Sequence, residues 1–363
     1  MKKIIFMICF LCISIINTAQ ENSENQLVQA AQKGDIQKVN ALLKAGAQVN
    51  EQDNFGETAL MKVALYGPLK MVQELIKDGA DVNIKNKTGW TALHYSVWSP
   101  EITRELINAK ANLNPQNELG MAPLHYAARD NRVESVQELI TAGANVNLGN
   151  SLGWTALHYA AKQGNLPIVQ AFIKAHADLN IRVKREDSEG YSTEKALSGI
   201  TKYSPLHLAV LEGETEVVQA LIKAGADPDA KGLYGPAAIV SASCKGFTDI
   251  VQELLKSGIN VNARTSSGGS PLWCAVVYGQ METAKELIKN KADANVKDNM
   301  GRAPIHVAVE KEDSEMIRLL LNAGADVNAA DMFGKTALDK AHQSGFDAIA
   351  EILVKAGGKS TTK

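Results

Sequence analysis

Two short apolar segments alternate along the chain with polar loops. In residues 168–173, Ile168, Val169 and Phe172 stand at helical spacing, and the preceding segment, residues 156–161, supplies about two turns of small and apolar residues. Helices of this length are marginal alone in water. The pattern therefore predicts paired short helices whose apolar faces must be covered by neighbouring pairs.

The paired segments recur at a nearly constant step. The phrase written LITAGANVN at Leu139 begins again, with small changes, at Leu42, Leu75, Leu106, Phe172, Leu221, Leu254, Leu287 and Leu320. The step is 33 residues, except for 31 between Leu75 and Leu106 and 49 between Phe172 and Leu221. A fixed period in this range indicates a stacked solenoid, which forms one elongated unit despite the chain length.

A tetrapeptide keeps the same period, as TALH at Thr91 and Thr155, APLH at Ala122 and SPLH at Ser204. A hydroxyl at its first place caps a helix, and proline at its second place suits the first helical position. These phrases resemble the ankyrin-repeat family, whose signature is T-P-L-H-x-A in a 33-residue unit. The resemblance covers roughly residues 24–358. It implies an all-α solenoid of about ten stacked helix–turn–helix units with finger loops between them.

The repeats divide the chain into five parts. We expect a signal peptide at 1–19, an N-terminal capping repeat at 24–57 and eight repeats at 58–335, followed by a truncated C-terminal capping repeat at 336–358 and a disordered tail at 359–363. An insertion near 182–200 accounts for the long step. A solvated loop is the preferred interpretation of this insertion, and an additional binding element stays open.

The first residues predict export. Lys2 and Lys3 precede a mostly apolar run from Ile4 to Ile16, and Ala19 offers a small residue for cleavage. This is the arrangement of a secretory signal peptide, and the run is too short for a membrane-spanning helix. We expect a secreted or periplasmic protein, of bacterial type, with no membrane span after cleavage.

The sequence contains few residues that could form a catalytic or metal-binding site. Five of the seven histidines hold the fourth place of the tetrapeptide, at His94, His125, His158, His207 and His306. Successive repeats hold them about one helix spacing apart, too far to share a zinc ion, so we expect each imidazole to bond the backbone near its helix cap. No nucleophile elbow, phosphate loop or metalloprotease motif is present. The sequence predicts no enzyme, cofactor or metal site.

Two cysteines follow the expected signal peptide, Cys244 and Cys274. Aligned repeats place them about one turn out of register on helices some 8–10 Å apart. A disulfide needs Cα atoms within about 7 Å. We therefore prefer two small buried thiols to a disulfide.

In ankyrin-repeat proteins a partner protein meets the finger tips and the exposed ends of the first helices, so the resemblance implies a concave binding surface. Carried onto this chain, the candidate partner-binding residues are Tyr66, Trp90, Trp98, Arg129, Trp154, Lys162, Tyr234, Lys245, Tyr278 and Phe333; the tip positions also hold Phe55, Leu119, Met121, Leu152 and Met300. Tryptophan is common at binding hot spots, although Trp90 and Trp154 equally suit packing along the next finger. For Tyr95, Tyr126 and Tyr159 we expect packing between helices.

The formal charge of −2 gives no basic excess for nucleic-acid binding. The sequence thus favours a monomeric, non-catalytic scaffold that recognises a partner protein outside the cytoplasm. Two alternatives stay open: an inhibitor or immunity protein of one exported enzyme, and a secreted effector that acts on a host protein.

Overall fold

A computed structural model describes residues 26–184, 202–228 and 238–361. These residues form ten helix pairs. The first helices of the pairs are α1 (Gln26–Gln32), α3 (Ala59–Tyr66), α5 (Ala92–Ser96), α7 (Pro123–Arg129), α9 (Ala156–Lys162), α11 (Pro205–Glu212), α13 (Ala238–Lys245), α15 (Pro271–Val277), α17 (Pro304–Glu310) and α19 (Ala337–Ser344). The second helices are α2 (Ile36–Lys44), α4 (Leu69–Lys77), α6 (Pro100–Asn108), α8 (Val133–Thr141), α10 (Leu166–Lys174), α12 (Thr215–Lys223), α14 (Thr248–Lys256), α16 (Met281–Lys289), α18 (Ser314–Asn322) and α20 (Asp347–Lys355). The all-α repeat fold is therefore confirmed.

The helices form two compact units. One unit takes the described residues up to Ala127 together with Glu134–Ala144, and the other takes Ala128–Val133 and the described residues from Asn145 onward. In the first unit α3 packs between α1 and α5. In the second unit the row α9, α11, α13, α15, α17 and α19 packs helix against helix. The second helices line the core through leucines such as Leu106 and Leu254, which are fully buried.

The residue that ends each second helix has left-handed backbone geometry. Most repeats use glycine there, but Lys110, His176 and Lys291 hold the same place with φ of 65°, 55° and 66°. A left-handed L-residue costs on the order of 1–2 kcal/mol. These repeats carry a local strain that the glycine repeats avoid.

The asparagine that closes most of the phrases joins consecutive repeats. In the first unit the Asn50 Oδ1 accepts from the Asp81 N–H at 2.7 Å. In the second unit Asn295 Oδ1 accepts from the Asp326 N–H at 2.7 Å, and its Nδ2 donates to the Gly324 carbonyl at 3.0 Å. The repeated asparagine is thus a structural tie between neighbouring loops.

The insertion starts from a two-stranded ladder, in which β1 (Val183–Lys184) pairs antiparallel with β2 (Lys202–Tyr203). Val183 is buried, so the first residues of the predicted insertion belong to the repeat core. The rest of the insertion, the predicted signal peptide and Tyr234 lie outside the described residues.

The prediction of a disordered tail is wrong for the three tail residues that the structure describes. The Lys359 N–H donates to Asn328 Oδ1 at 2.7 Å, which continues the asparagine tie. The Thr361 N–H donates to Asp339 Oδ1 at 3.0 Å. Lys359 thus takes the place in the last repeat that Asp326 takes in the repeat before it.

Candidate functional site

Six of the seven finger loops that the structure describes are built around one aspartate or asparagine, and Thr265 holds this place in the seventh. In the finger that precedes α19, Asp331 Oδ1 accepts from the Phe333 N–H at 2.9 Å and the Lys335 N–H at 3.0 Å. Gly334 follows with φ of 71°, a conformation that suits glycine. Asp53, Asn86, Asn117, Asn150 and Asp298 hold the same place in other fingers and accept the same two bonds. The turn leaves the side chain before the glycine at the finger tip.

Neighbouring finger tips are joined through their backbones. In the second unit the Met332 N–H donates to the Met300 carbonyl at 2.9 Å, and Asn299 N–H donates to the Ser267 carbonyl at 2.9 Å. In the first unit the Lys87 N–H donates to the Phe55 carbonyl at 3.1 Å. The tips within a unit therefore form a row with fixed spacing.

Apolar side chains at these tips are exposed to solvent. In the first unit the tip residues Phe55 and Leu119 are 52% and 62% exposed. In the second unit the corresponding residues are Leu152 at 54%, Met300 at 44% and Phe333 at 69%. A large apolar side chain gains free energy when a partner removes it from water. The tips therefore form the most favourable apolar contact sites among the fingers.

An ion-pair network lies beside the tips of the second unit. Glu310 bonds Arg302 at 3.3 Å and Lys340 at 2.7 Å, and Lys340 also lies 3.4 Å from Asp331. Burial of Asp331 opposes its ionisation, but the N–H groups of Lys335 and Phe333 and the Lys340 ammonium outweigh it and lower the pKa of Asp331. The network fixes charged groups at the base of the apolar tips.

The first unit has a corresponding network around Lys62. Its ammonium contacts Glu57 and lies 3.2 Å from Asp53. Burial disfavours the charged ammonium, but the two carboxylates outweigh this effect and raise the pKa of Lys62. The Tyr95 hydroxyl donates to Glu57 and accepts from Asn86 Nδ2 at 3.1 Å, and burial raises the pKa of Tyr95. These polar groups are satisfied internally, which supports a structural role.

The predicted site residues differ in exposure. Tyr66, Lys245, Tyr278 and Phe333 are exposed, and Tyr66 is 87% exposed. Trp90, Trp98, Arg129 and Lys162 are half-buried. Tyr234 lies outside the described residues. The structure thus leaves eight of the ten candidates with surface available to a partner.

Trp154 and Met121 are buried, so Trp154 follows the packing alternative and the expectation of Met121 at a finger tip is wrong. Trp154 is fully buried, and its ring packs on Tyr159 with centroids 5.1 Å apart. The Lys162 ammonium lies 5.8 Å from the centre of the Trp154 ring and adds a cation–π contact. Met121 is 4% exposed. Both side chains follow the tip glycine, where the chain turns back into the core.

Trp90 combines the two predicted roles. Its ring lies 4.9 Å from Tyr95 and 4.5 Å from Tyr126 between ring centroids, so aromatic packing holds it in place. The residue still keeps part of its surface exposed. A packed aromatic with an exposed edge loses little conformational entropy on binding.

The tyrosines and histidines are structural, as predicted. Tyr95, Tyr126 and Tyr159 are buried, and the hydroxyl of Tyr126 accepts from Asn117 Nδ2 at 2.7 Å. The Nδ1 atom of His125 accepts from the Ala122 N–H at 3.0 Å. His94, His158 and His306 accept from the backbone at the helix cap in the same way, whereas the Nδ1 of His207 contacts the Ser204 hydroxyl.

The apolar residue Met332 is 62% exposed, although the sequence did not predict it as a binding residue. It lies directly before Phe333 in the same finger. The spacing of Asp331 and Gly334 was the available signal, because both residues between them must lie at the outer turn.

Within residues 26–184, 202–228 and 238–361 no helix is long and apolar enough to cross a membrane. The same residues contain no group of three histidine, cysteine, aspartate or glutamate side chains arranged to hold a metal ion.

A family model described as ankyrin repeats in three copies matches residues 27–117, 99–183, 206–298 and 272–363. The chain belongs to the ankyrin-repeat family. Ankyrin repeats are generally modules of protein–protein interaction, and the family is typically non-catalytic. No curated protein matches this ankyrin-repeat chain.

Proposed function

We propose that this ankyrin-repeat chain is a non-catalytic recognition protein that binds one partner protein outside the cytoplasm. One observation carries the proposal. In five of the seven fingers that the structure describes, the residue before the tip glycine is a large apolar side chain that is exposed: Phe55, Leu119, Leu152, Met300 and Phe333. Exposed apolar side chains at this position do not stabilise the folded chain, whereas their burial against a partner protein stabilises a complex.

Within the second unit the most exposed apolar tips of two neighbouring fingers are Met300, Met332 and Phe333, which we name the second finger surface. The Met332–Met300 backbone bond holds the two fingers together. The Arg302–Glu310–Lys340 network provides charged groups beside the apolar tips. Protein interfaces commonly combine an apolar centre with a polar rim. We therefore assign the main contact with the partner to this surface.

The proposed location rests on residues 1–19. Two lysines, a short apolar run and a small residue before Gln20 support export by a signal peptide. We propose a secreted or periplasmic monomer on this basis. Amino-terminal sequencing of the exported chain tests the location, and a chain retained in the cytoplasm with Met1 in place contradicts it.

Affinity purification followed by a matched pair of variants tests the function. The exported chain serves as bait for periplasmic, medium and membrane fractions of its source, and the affinity of the purified partner is then measured by calorimetry. Phe333→Ser removes the most exposed apolar tip and should weaken binding at least tenfold, about 1.4 kcal/mol or more, as expected for a central anchor. Val354→Ser is the control, because Val354 is 55% exposed but lies on α20, outside the fingers.

Equal affinity of the two variants would contradict the assignment of the second finger surface. Absence of any stoichiometric protein partner in all three fractions would contradict the proposed function as a whole.

A further inference from the structure

Two cysteines lie together in the second unit, away from the finger tips. Cys244 is in the last turn of α13 and Cys274 is in the middle of α15, and these two helices pack directly against each other. The two thiols are close enough to interact, and each changes the pKa of the other. Cys274 is 5% exposed and Cys244 is half-buried, so a reagent in solution reaches the pair from the Cys244 side.

The preference for two thiols over a disulfide is confirmed, because both cysteines are free in this structure. The aligned repeats placed the residues about one turn out of register on helices 8–10 Å apart, and this alignment did not predict that the two side chains interact. The helices α13 and α15 pack directly against each other and carry small, fully buried side chains such as Ala242 and Ala275.

The two thiols have different chemical environments. The interaction with Cys274 lowers the pKa of the Cys244 thiol, although burial opposes the effect. The interaction with Cys244 and burial both raise the pKa of the Cys274 thiol. A thiolate is the reactive form of cysteine. Cys244 is therefore the residue that reacts first, and it is also the more accessible of the two.

We propose that Cys244 and Cys274 are a redox-active dithiol that closes to an intrachain disulfide between α13 and α15. The oxidant is a disulfide in solution, of either a small molecule or a thiol oxidoreductase. The Cys244 thiolate attacks one sulfur of that disulfide, forms a mixed disulfide and releases one thiol. Cys274 loses its proton and displaces the second thiol. The chain loses two protons and two electrons, and the oxidant becomes two thiols.

The sequence supplies no competing cysteine in the repeats. Of its four cysteines, Cys9 and Cys12 lie within residues 1–19, and Cys244 and Cys274 are the other two. The bond would join two consecutive helix pairs, α13–α14 and α15–α16. It restricts the unfolded chain and holds the neighbouring repeats together when one of them opens. The proposal does not depend on the binding function.

Thiol trapping of the full chain tests the proposal. The folded protein is incubated with oxidised glutathione, quenched in urea with iodoacetamide and digested with trypsin. We expect a disulfide-linked pair of peptides, residues 232–245 and 265–285, that disappears on reduction. Their masses distinguish this bond from any product of Cys9 or Cys12. The oxidised chain should also unfold at a higher urea concentration than the reduced chain.

A displaced thiol provides the matched control. In the double variant Cys244→Ser/Ser243→Cys the thiol moves one residue around α13, to a side chain whose hydroxyl in the native chain donates to the Ile239 carbonyl at 2.7 Å. This variant should link Cys274 at least tenfold more slowly. Cys244→Ser alone should show no linked peptide and no redox dependence of its urea midpoint.

Three results would overturn the proposal: full alkylation of both cysteines after oxidation of the folded chain, linkage that forms only in urea, or equal rates for the native and displaced thiols. The first two need only the native chain, so a variant that fails to fold does not leave the question open.

Discussion

The imidazole of His94 bonds the carbonyl of Met121 across two consecutive repeats. Its Nδ1 accepts from the Thr91 N–H at 3.0 Å, so Nε2 carries the proton and donates to the Met121 oxygen at 3.1 Å. His158 and His306 contact the carbonyls of Ile181 and Lys335 in the same way. The histidine of the tetrapeptide therefore acts as a neutral bridge, with one nitrogen for its own helix and the other for the next finger.

This geometry makes stability depend on pH. Burial lowers the pKa of His94 to about 4, from 6.5 in the unfolded chain. Between these values the unfolded state binds the proton and the folded state does not, so stability is complete above pH 6.5 and falls as the pH decreases toward 4. We expect this residue to lower the free energy of unfolding by roughly 2–3 kcal/mol between pH 7.5 and 4.5.

Urea unfolding of His94→Gln at both pH values measures the effect. Glutamine has one acceptor and one donor but does not titrate, so the variant should lose less stability on acidification than the native chain. His342→Gln is the control for the histidine-to-glutamine change itself, since His342 is exposed on α19 and lies outside the cap positions. An equal pH dependence in native chain and His94→Gln would exclude His94 as its source.

Two tryptophans should respond oppositely to truncation. Trp154 is fully buried against Tyr159 and His158. Trp154→Ala should therefore lower the free energy of unfolding by about 3–5 kcal/mol. Trp98 is half-buried in the short turn after α5, so Trp98→Ala should keep the helical content and weaken binding of the partner.

Circular dichroism with urea, together with the partner-binding assay, separates the two effects. The role of Trp98 in binding fails if Trp98→Ala loses folding and binding in equal measure. A Trp154→Ala chain as stable as the native one would contradict the buried packing of Trp154.

Most of the fold was predictable because the repeats contain recognisable residues that cap and end their helices. The 33-residue period and the Thr91 and Ser204 caps indicate the helix pairs directly. The solvent exposure of individual side chains was harder to predict from the sequence. Trp154 and Phe333 both lie near a tip glycine, one directly after it and one directly before it, and a helix-based pattern does not distinguish the two sides of that turn.

The contact between Cys244 and Cys274 illustrates a second limit. The alignment placed the two cysteines on the correct pair of neighbouring helices, but it did not show that their side chains interact. That interaction depends on how all the side chains between the two helices pack together, which a repeat-by-repeat alignment does not contain.

The C-terminal tail provides the last prediction, because Asp339 holds the tetrapeptide place that histidine holds in other repeats. At this place the histidines of other repeats contact a carbonyl of the next finger, as His94 does, whereas the Asp339 carboxylate accepts from the tail. Asp339 is 4% exposed and accepts from the Ser360 hydroxyl at 2.6 Å and the Thr361 N–H at 3.0 Å. A chain that ends at Gly358 would leave this buried carboxylate with fewer donors, which should cost about 1–3 kcal/mol of stability.

A double-mutant cycle shows whether the tail acts through Asp339. Urea unfolding is measured for the native chain, the chain ending at Gly358, Asp339→Ala and the combination of both changes. If the tail stabilises the last repeat by donating to the carboxylate, truncation should cost clearly less in the Asp339→Ala background, because the acceptor is already gone. Additive losses would mean that the tail acts through other contacts, such as the bond from Lys359 to Asn328.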